Sequence, residues 1–468
     1  MNISEKMLLL ILGLLFFINF IGTLGPELAF DALWYHLTLP KLFIIAHRVY
    51  FIRDNLFYYS LLPKFAEMLY IPALVLSNEI GAKIINFSFG LLTCVSVFRI
   101  GRIYLTRYWS LIAVIVFYSN LVIDWLSITA YVDLQRIFFE STAMLFFLYY
   151  VKSQSKKHLV SSAILLGLAI ATKIIALSSI PIFIVLIFFL SFLSMYGKIK
   201  NALIYIFSFL LVVMPWFVIS FYYTKNPFYP LFSNIGPKNI SLDFFNPLIF
   251  VKNFITVFLF AADPLNPFYL IVIPILILNY KKIINKFRYV FLYSIFSYLT
   301  WYVVTYSNIW YGTEQAGGAR FLSAYIPVLS VLGIIAINEY KNALISKLLV
   351  CLIVIIAITS IIYRGAANAK YIPVILGFET KQNFLMRNLN FSFGDFYDEG
   401  MNIKTMVKDN TVLLLGMHNL YYVDFPFTLS EKNKFGYILI QNGTLPAGFS
   451  NAKFVYKNER SHVKLYKL

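Results

Sequence analysis

Gly25-Pro-Glu-Leu-Ala-Phe-Asp31-Ala-Leu-Trp-Tyr-His36-Leu37 follows directly on an apolar stretch, Met7 to Leu24. The stretch is long enough to cross a bilayer, for which about 20 residues are needed. It has no small-residue cleavage site, so it reads as a retained first helix and not a signal peptide. The run that follows sets a carboxylate, an imidazole and two aromatics where the chain leaves the membrane. A membrane-edge carboxylate is a functional-site candidate, and here it is placed to serve as a base beside lipid headgroups.

Composition agrees with this reading. Of 468 residues, 60% are hydrophobic and 13% are charged, where a soluble chain carries about 25%. Mean hydropathy is +0.76. The net charge of +18 is scattered between apolar stretches and forms no single stripe, which argues against nucleic-acid binding and for basic cytoplasmic loops. Cys94 and Cys351 lie in apolar stretches and pack as small hydrophobes.

Apolar stretches near 7–24, 80–98, 110–126, 135–151, 159–172, 174–194, 203–221, 266–280, 289–306, 321–338 and 346–363 predict about eleven transmembrane helices. Arg99, Arg102 and Arg107 lie in one connection, and Lys152, Lys156 and Lys157 in another. Lys198 and Lys200 follow, then Lys281, Lys282, Lys286 and Arg288, then Lys341 and Lys347. Every second connection is basic, which places those loops and the N-terminus in the cytoplasm. The stretch 159–194 is basic at both ends, so two short spans turning near Lys173 fit better than one long helix.

Two external connections are long. Residues 25–79 carry His47-Arg48, Arg53-Asp54, Pro63-Lys64 and Glu67 among aromatics, predicting interfacial helices. Residues 222–265, with Asn226-Pro-Phe-Tyr-Pro230, read as ordered loop. Beyond Arg364 the composition turns polar. Val412–Leu415, Tyr437–Ile440 and Lys453–Tyr456 predict strands of a small external α/β domain, so that 1–364 form the membrane part and 365–468 the external domain. About 100 residues bury a modest core, which leans on the membrane part.

Several side chains could carry chemistry, each with a plainer alternative. Asp31 is the candidate general base, or a solvated acid at a helix end. Tyr35 and His36 are candidate substrate contacts, or members of an aromatic belt. Asp133, opening the fourth span from outside, is a second acid, or a favourable charge at a helix N-terminus. Lys173, at the hairpin turn, and Arg320, after Gly317-Gly318-Ala319, could neutralise a leaving phosphate, or could be interfacial cations. Asp124 reads as a solvated loop acid. There is no phosphate-binding Gly-Lys-Ser loop, zinc-binding His/Glu pair or Cys cluster. Asn239-Ile-Ser241 and Asn442-Gly-Thr444 fit the glycosylation acceptor pattern, which is too short to carry weight.

Six segments occur in an order that resembles one family: Asp31 to His36, Glu67-Met-Leu-Tyr70, Ala130-Tyr-Val-Asp133-Leu134, Gly167 to Lys173, Asn226 to Pro230, and Arg320-Phe-Leu with Pro327. They resemble bacterial membrane glycosyltransferases of the GT-C superfamily, in the branch of protein O-mannosyltransferases and lipid A aminoarabinose transferases. Gly377-Phe-Glu-Thr380 and Tyr421-Tyr-Val-Asp424 resemble the external domain of such members. The resemblance implies a polyprenyl-phosphate-linked sugar donor, an external acceptor and inversion at the anomeric carbon. It maps the family's catalytic carboxylate onto Asp31 and its second acid onto Asp133. Gln135-Arg136 depart from the pattern, and Arg136 is placed to pair with Asp133.

The sequence thus reads as an all-α polytopic plasma-membrane glycosyltransferase with a small α/β appendage. The acceptor would be a glycan, lipid or protein. Lys173, Arg320 and Lys64 would stabilise the departing phosphate. No metal is needed for this, although other branches of the superfamily use a divalent ion. The alternatives are a polysaccharide polymerase or O-antigen ligase, which would rely on a later external loop, and a lipid-linked sugar flippase, which would carry ionisable groups near the midplane.

Overall fold

A computed structural model describes residues 4–52, 54, 56–233, 245–259, 265–306 and 318–468. Arg53, Asn239 to Ser241 and Gly317 lie outside the described residues. The helices in chain order are α1 (Glu5–Thr23), α2 (Thr38–Ala46), α3 (Phe65–Leu76), α4 (Glu79–Tyr104), α5 (Arg107–Tyr118), α6 (Leu121–Ser127), α7 (Asp133–Ser153) and α8 (Lys156–Thr172). Then come α9 (Ile180–Phe188), α10 (Met195–Thr224), α11 (Pro247–Leu259), α12 (Phe268–Leu278), α13 (Tyr280–Tyr306), α14 (Gly318–Leu322), α15 (Ile326–Glu339) and α16 (Ala343–Asn368). Three short helices follow: α17 (Ile372–Ile375), α18 (Lys381–Asn388) and α19 (Asn402–Val407).

The starts of several helices are written in the sequence. Ser4, Asn78, Thr106, Ser194 and Asn342 each accept a backbone N–H of the first turn of α1, α4, α5, α10 and α16. These caps satisfy donors that have no partner within the helix. At the other end of α1, Lys83 Nζ donates to the carbonyls of Gly22 (3.0 Å) and Gly25 (2.7 Å).

By length and composition, α1, α4, α10 and the helical stretch Ala343–Ile375 can cross a membrane. The number rises to six if two bent pairs each count as one span: α5 with α6 (74°) and α12 with α13 (118°). The expected spans 135–151, 159–172, 174–194 and 321–338 fall on helices that are charged or short. α7 carries Asp133, Arg136, Glu140 and Lys152, and α8, α9 and α15 have 17, 9 and 14 residues. The basic connection at 281–288 is helical, the first turns of α13 up to a kink at Phe287. The second long connection, expected as loop, contains α11.

α7 is the hub of the bundle, packed against α4 and α8, while α8 packs on α10. Gly167 allows that last approach, because a Cβ there would lie 2.8 Å from the Val212 side chain and 2.9 Å from the Phe209 carbonyl. Buried polar links tie the bundle together. Arg136 pairs with Glu140 one turn on (2.6 Å), not with Asp133 as expected. Glu140 accepts from Ser179 (2.7 Å), whose hydroxyl meets Tyr325 at 3.0 Å. Asp124, expected to be solvated, is fully buried. It accepts from Asn19 of α1 (2.6 Å) and from Ser360 of α16.

The C-terminal region forms a five-stranded sheet from β1 (Val412–Leu415), β2 (Phe427–Thr428), β3 (Tyr437–Gln441), β4 (Lys453–Asn458) and β5 (Val463–Lys467). The order is β2-β1-β3-β5-β4, with β1 parallel to both β2 and β3 and the other pairs antiparallel. Successive side chains alternate faces. Leu413, Ile438 and Ile440 form one small cluster. Val412, Leu414 and Leu439 turn the other way, into a core completed by Tyr35, Leu39, Phe43 and Phe57 of the segment after α1. The sheet therefore buries its larger face on the first long connection, as the modest size of its own core requires.

Candidate active site

Two turns meet at the site, and a buried acid ties them. Glu27 Oε1 accepts the N–H groups of Leu28 and Ala29 (both 2.8 Å), and its Oε2 accepts that of Ala130 (2.5 Å). The turn after α1 is thereby fixed to the turn before α7. Next in line, the Asp31 N–H donates to the Tyr131 hydroxyl (3.0 Å). Asp31 then precedes a single π-helical turn, Ala32–His36, a wide geometry frequent at functional sites.

These links bring together Asp31 and Asp133, distant in sequence. Arg320, on α14, donates through Nη1 to Asp31 Oδ2 (2.7 Å) and through Nη2 to Asp133 Oδ2 (3.0 Å). Lys173, at the break after α8, reaches Asp133 Oδ1 (2.7 Å). The Tyr131 ring lies under the guanidinium, 4.2 Å from its carbon to the ring centroid, a cation–π arrangement. Two acids and two cations thus form one charge-balanced group. Asp31 and Arg320 keep 20% and 15% of their side-chain surface exposed, while Asp133 is buried at 2%. Asp31 is therefore the more accessible of the two acids, and Asp133 the one that contacts both cations.

Tyr35, His36 and Lys64 are not part of that group. They form a second, buried one around Glu67. His36 Nδ1 meets Glu67 Oε1 at 2.8 Å, and Lys64 Nζ lies 3.6 Å from the same oxygen. The Tyr35 ring packs on His36 at 4.1 Å, with Lys64 Nζ 5.7 Å from its centroid. Burial pushes the His36 imidazole below its ordinary value, against the pull of Glu67. A neutral His36 donates from Nδ1 to the Glu67 carboxylate. Its Nε2 is inaccessible and has no hydrogen-bond partner among the described residues. Lys64 likewise stands against Glu67 and not in the open part of the site.

Sequence reasoning missed Tyr131 and Tyr70. Tyr131 carries Arg320 on its face and Asp31 on its hydroxyl, and its carbonyl accepts from Tyr70 (2.5 Å), which in turn accepts from Gln135 (2.9 Å). The available signal was the pair of motifs around Glu67 and Asp133, each of which includes one of these tyrosines. Gln135, which departs from the family pattern, completes this chain of hydrogen bonds. Among the described residues, no three His, Cys, Asp or Glu side chains group so as to hold a metal ion.

The fold is shared with solved structures. ArnT from Cupriavidus metallidurans in the apo state matches with a TM-score of 0.64 at 13% identity, over 98% of this chain and 97% of that one. The same protein bound to undecaprenyl phosphate matches at 0.60 and 11% identity, over 99% and 98%. The oligosaccharyltransferase of Archaeoglobus fulgidus, in complex with zinc and sulfate, matches at 0.52 and 14% identity, over 97% of this chain and 73% of that one. At such identities it is the fold alone that is shared. No protein-family model matches the chain, and no curated protein sequence does.

Proposed function

We propose, from the GT-C fold that this chain shares with ArnT, that it transfers a sugar from a polyprenyl-phosphate donor to an acceptor hydroxyl. The observation that carries the reading is the partly exposed Asp31 carboxylate held against Arg320, with Lys173 and Asp133 behind it. Asp31 takes the proton of the acceptor hydroxyl as that oxygen attacks the sugar's C1. The bond from C1 to the phosphate oxygen breaks with its electron pair, and the configuration at C1 inverts. Arg320 and Lys173 stabilise the charge that develops on the departing polyprenyl phosphate. The same guanidinium donor that now holds Asp31 is the one a phosphate would attract. Arrival of the donor then takes the Nη1 donor from Asp31, which is left free to accept a proton, while Nη2 stays on Asp133. Asp133 keeps both cations in place meanwhile.

In this reading, residues 1–364 form a polytopic catalytic part in the plasma membrane. The N-terminus is cytoplasmic, and residues 365–468 lie outside with Asp31. The basic connections support that orientation, and undecaprenyl phosphate bound by ArnT supports the class of carrier. The step needs no metal, since the leaving phosphate is met by Arg and Lys.

The test is mass spectrometry of lipid-linked sugars and surface glycans from cells carrying wild type, a deletion or Asp31→Asn, at matched protein levels. Asp31→Asn should reproduce the deletion, losing a glycan and accumulating its polyprenyl-phosphate sugar. Wild-type glycans in Asp31→Asn cells, with loss only in the deletion, would sink the assignment of the base and favour transport.

A further inference from the structure

A cavity of about 590 Å³ opens where α2, α3 and the start of α4 meet the C-terminal region. Its volume lies within the range of small-molecule sites, about 300–1,000 Å³. Its lining is two-sided. Ile44, Ile45 and Leu74 form an apolar side, continuous with Val75 and Leu76, which are 62% and 86% exposed. Tyr397, Tyr421 and Tyr422 line it as well.

The charges on the lining balance. Lys41, Lys381 and Lys404 face Glu79, Asp398 and Asp424. Lys381 pairs with Glu79 and Lys404 with Asp424, both at 2.5 Å. Lys41 donates to the carbonyls of Tyr421 (2.8 Å) and Val423 (2.7 Å). Asp398 accepts the N–H groups of Ile403 (3.0 Å) and Lys404 (2.8 Å). A phosphate or carboxylate needs surplus donors or positive charge, and this lining has no surplus. A sugar hydroxyl both donates and accepts, so it can use paired lysines and acids together, and a sugar's C–H face packs on tyrosine rings.

The cavity wall is also tied to the turn that bears Asp31. The Tyr421 N–H donates to the Leu33 carbonyl (3.2 Å), and the Tyr422 hydroxyl to the Glu27 carbonyl (2.9 Å). The two bonds flank Asp31 in the chain. We infer that the cavity is an acceptor subsite for an amphiphilic glycan: it holds a sugar unit that does not react, with the apolar portion along Ile44, Ile45 and Leu74. Another unit of the same acceptor offers its hydroxyl to Asp31. The inference rests on the transferase reading for its role, though not for the binding itself. Binding energy gathered at such a remote unit orients the reacting one.

The test uses the full chain in nanodiscs and an alkyl glucoside with a photoreactive diazirine next to its headgroup. Alkyl phosphate and alkyl phosphocholine of the same chain length serve as comparisons, and labelled peptides are mapped by mass spectrometry. The glucoside should label peptides containing Leu74, Tyr397 or Tyr421 in preference to the other two probes. Tyr397→Ala removes a ring whose hydroxyl makes no hydrogen bond among the described residues, and Met401→Trp narrows the cavity from its exposed rim. Each should reduce labelling about fivefold, the loss expected for about 1 kcal/mol. Preferential labelling by the phosphate probe would overturn the inference in favour of an anionic lipid site. Labelling unchanged in both variants would overturn it as non-specific.

Asp31→Asn separates the two readings. Labelling there should stay at the wild-type level. Specific labelling combined with normal glycans in Asp31→Asn cells overturns the assignment of the base and leaves the sugar site standing. Absent labelling with Asp31 essential overturns the site alone.

Discussion

Asp31 and Asp133 are held by one guanidinium, each by a different terminal nitrogen of Arg320. The arrangement makes Arg320 the element that sets the spacing of the two acids. Lysine offers a point charge and cannot serve both in fixed geometry. Arg320→Lys should therefore lower transfer by about 10²-fold, the size seen when one preorganised donor to a developing charge is lost. Asp133→Asn should weaken the hold on both Arg320 and Lys173, and so raise the donor concentration needed as well as slow turnover. Both are checked by following release of polyprenyl phosphate from a radiolabelled lipid-linked sugar in membranes.

Tyr131 gives a narrower test. Tyr131→Phe keeps the ring beneath Arg320 but removes the acceptor of the Asp31 N–H. Loss of one such hydrogen bond, about 1 kcal/mol, predicts turnover reduced about fivefold with the protein still folded. Tyr131→Ala removes the ring as well and should fall clearly further. Equal losses in the two variants would show that the hydroxyl carries the whole effect and the ring none.

The Arg136–Glu140 pair is buried in α7 and touches neither Asp31 nor Asp133 directly. Glu140→Gln leaves a buried guanidinium short of its counter-charge, a loss of about 3–5 kcal/mol. The expected outcome is a lower melting temperature and less folded protein in membranes. Activity per folded molecule should be largely retained.

Lys41 links α2 to the C-terminal region, and burial pushes its amine down to about 8 from an ordinary value of 10.5. Between those values the unfolded chain holds the proton that the folded chain has released. Stability attributable to this residue therefore rises as pH increases from about 8 to 10.5. The neutral amine keeps two N–H donors, enough for the Tyr421 and Val423 carbonyls. Thermal unfolding of wild type and Lys41→Met across that window should show the rise in wild type only, seen as a growing difference between the two.

Much of the fold was legible because its signals are local. Apolar runs marked the helical segments, and the short β-prone runs Val412–Leu415, Tyr437–Ile440 and Lys453–Tyr456 marked three strands to within two residues. β5 was missed although Val463-Lys-Leu-Tyr-Lys467 alternates, because charges on its outer face mask the pattern. β2 has two residues and no signal of its own. For the site, Asp31, Asp133, Lys173 and Arg320 could be singled out as ionisable residues at the ends of apolar stretches. Their common contact could not, since it is made by tertiary packing across α7, α8 and α14. Arg136 was assigned to the wrong acid because three- and four-residue spacings both fit a helix, and the carboxylate one full turn on took it. Asp124 was misjudged because nothing local shows that Asn19 and Ser360 converge on it.

The segment that carries Asp31 is made early by the ribosome and completed late. Its partners are Arg320, near the end of the bundle, and Tyr421, on the last fifth of the chain, while Tyr35, Leu39, Phe43 and Phe57 share a core with strands translated after residue 411. Until those strands emerge, Tyr35, Leu39, Phe43 and Phe57 lack the sheet face they pack against, although Ala32, Leu33 and Leu37 already have the bundle core. A nascent chain can thus lay down its helices long before it has a competent site, and release of an unfinished chain leaves an inert one in the membrane.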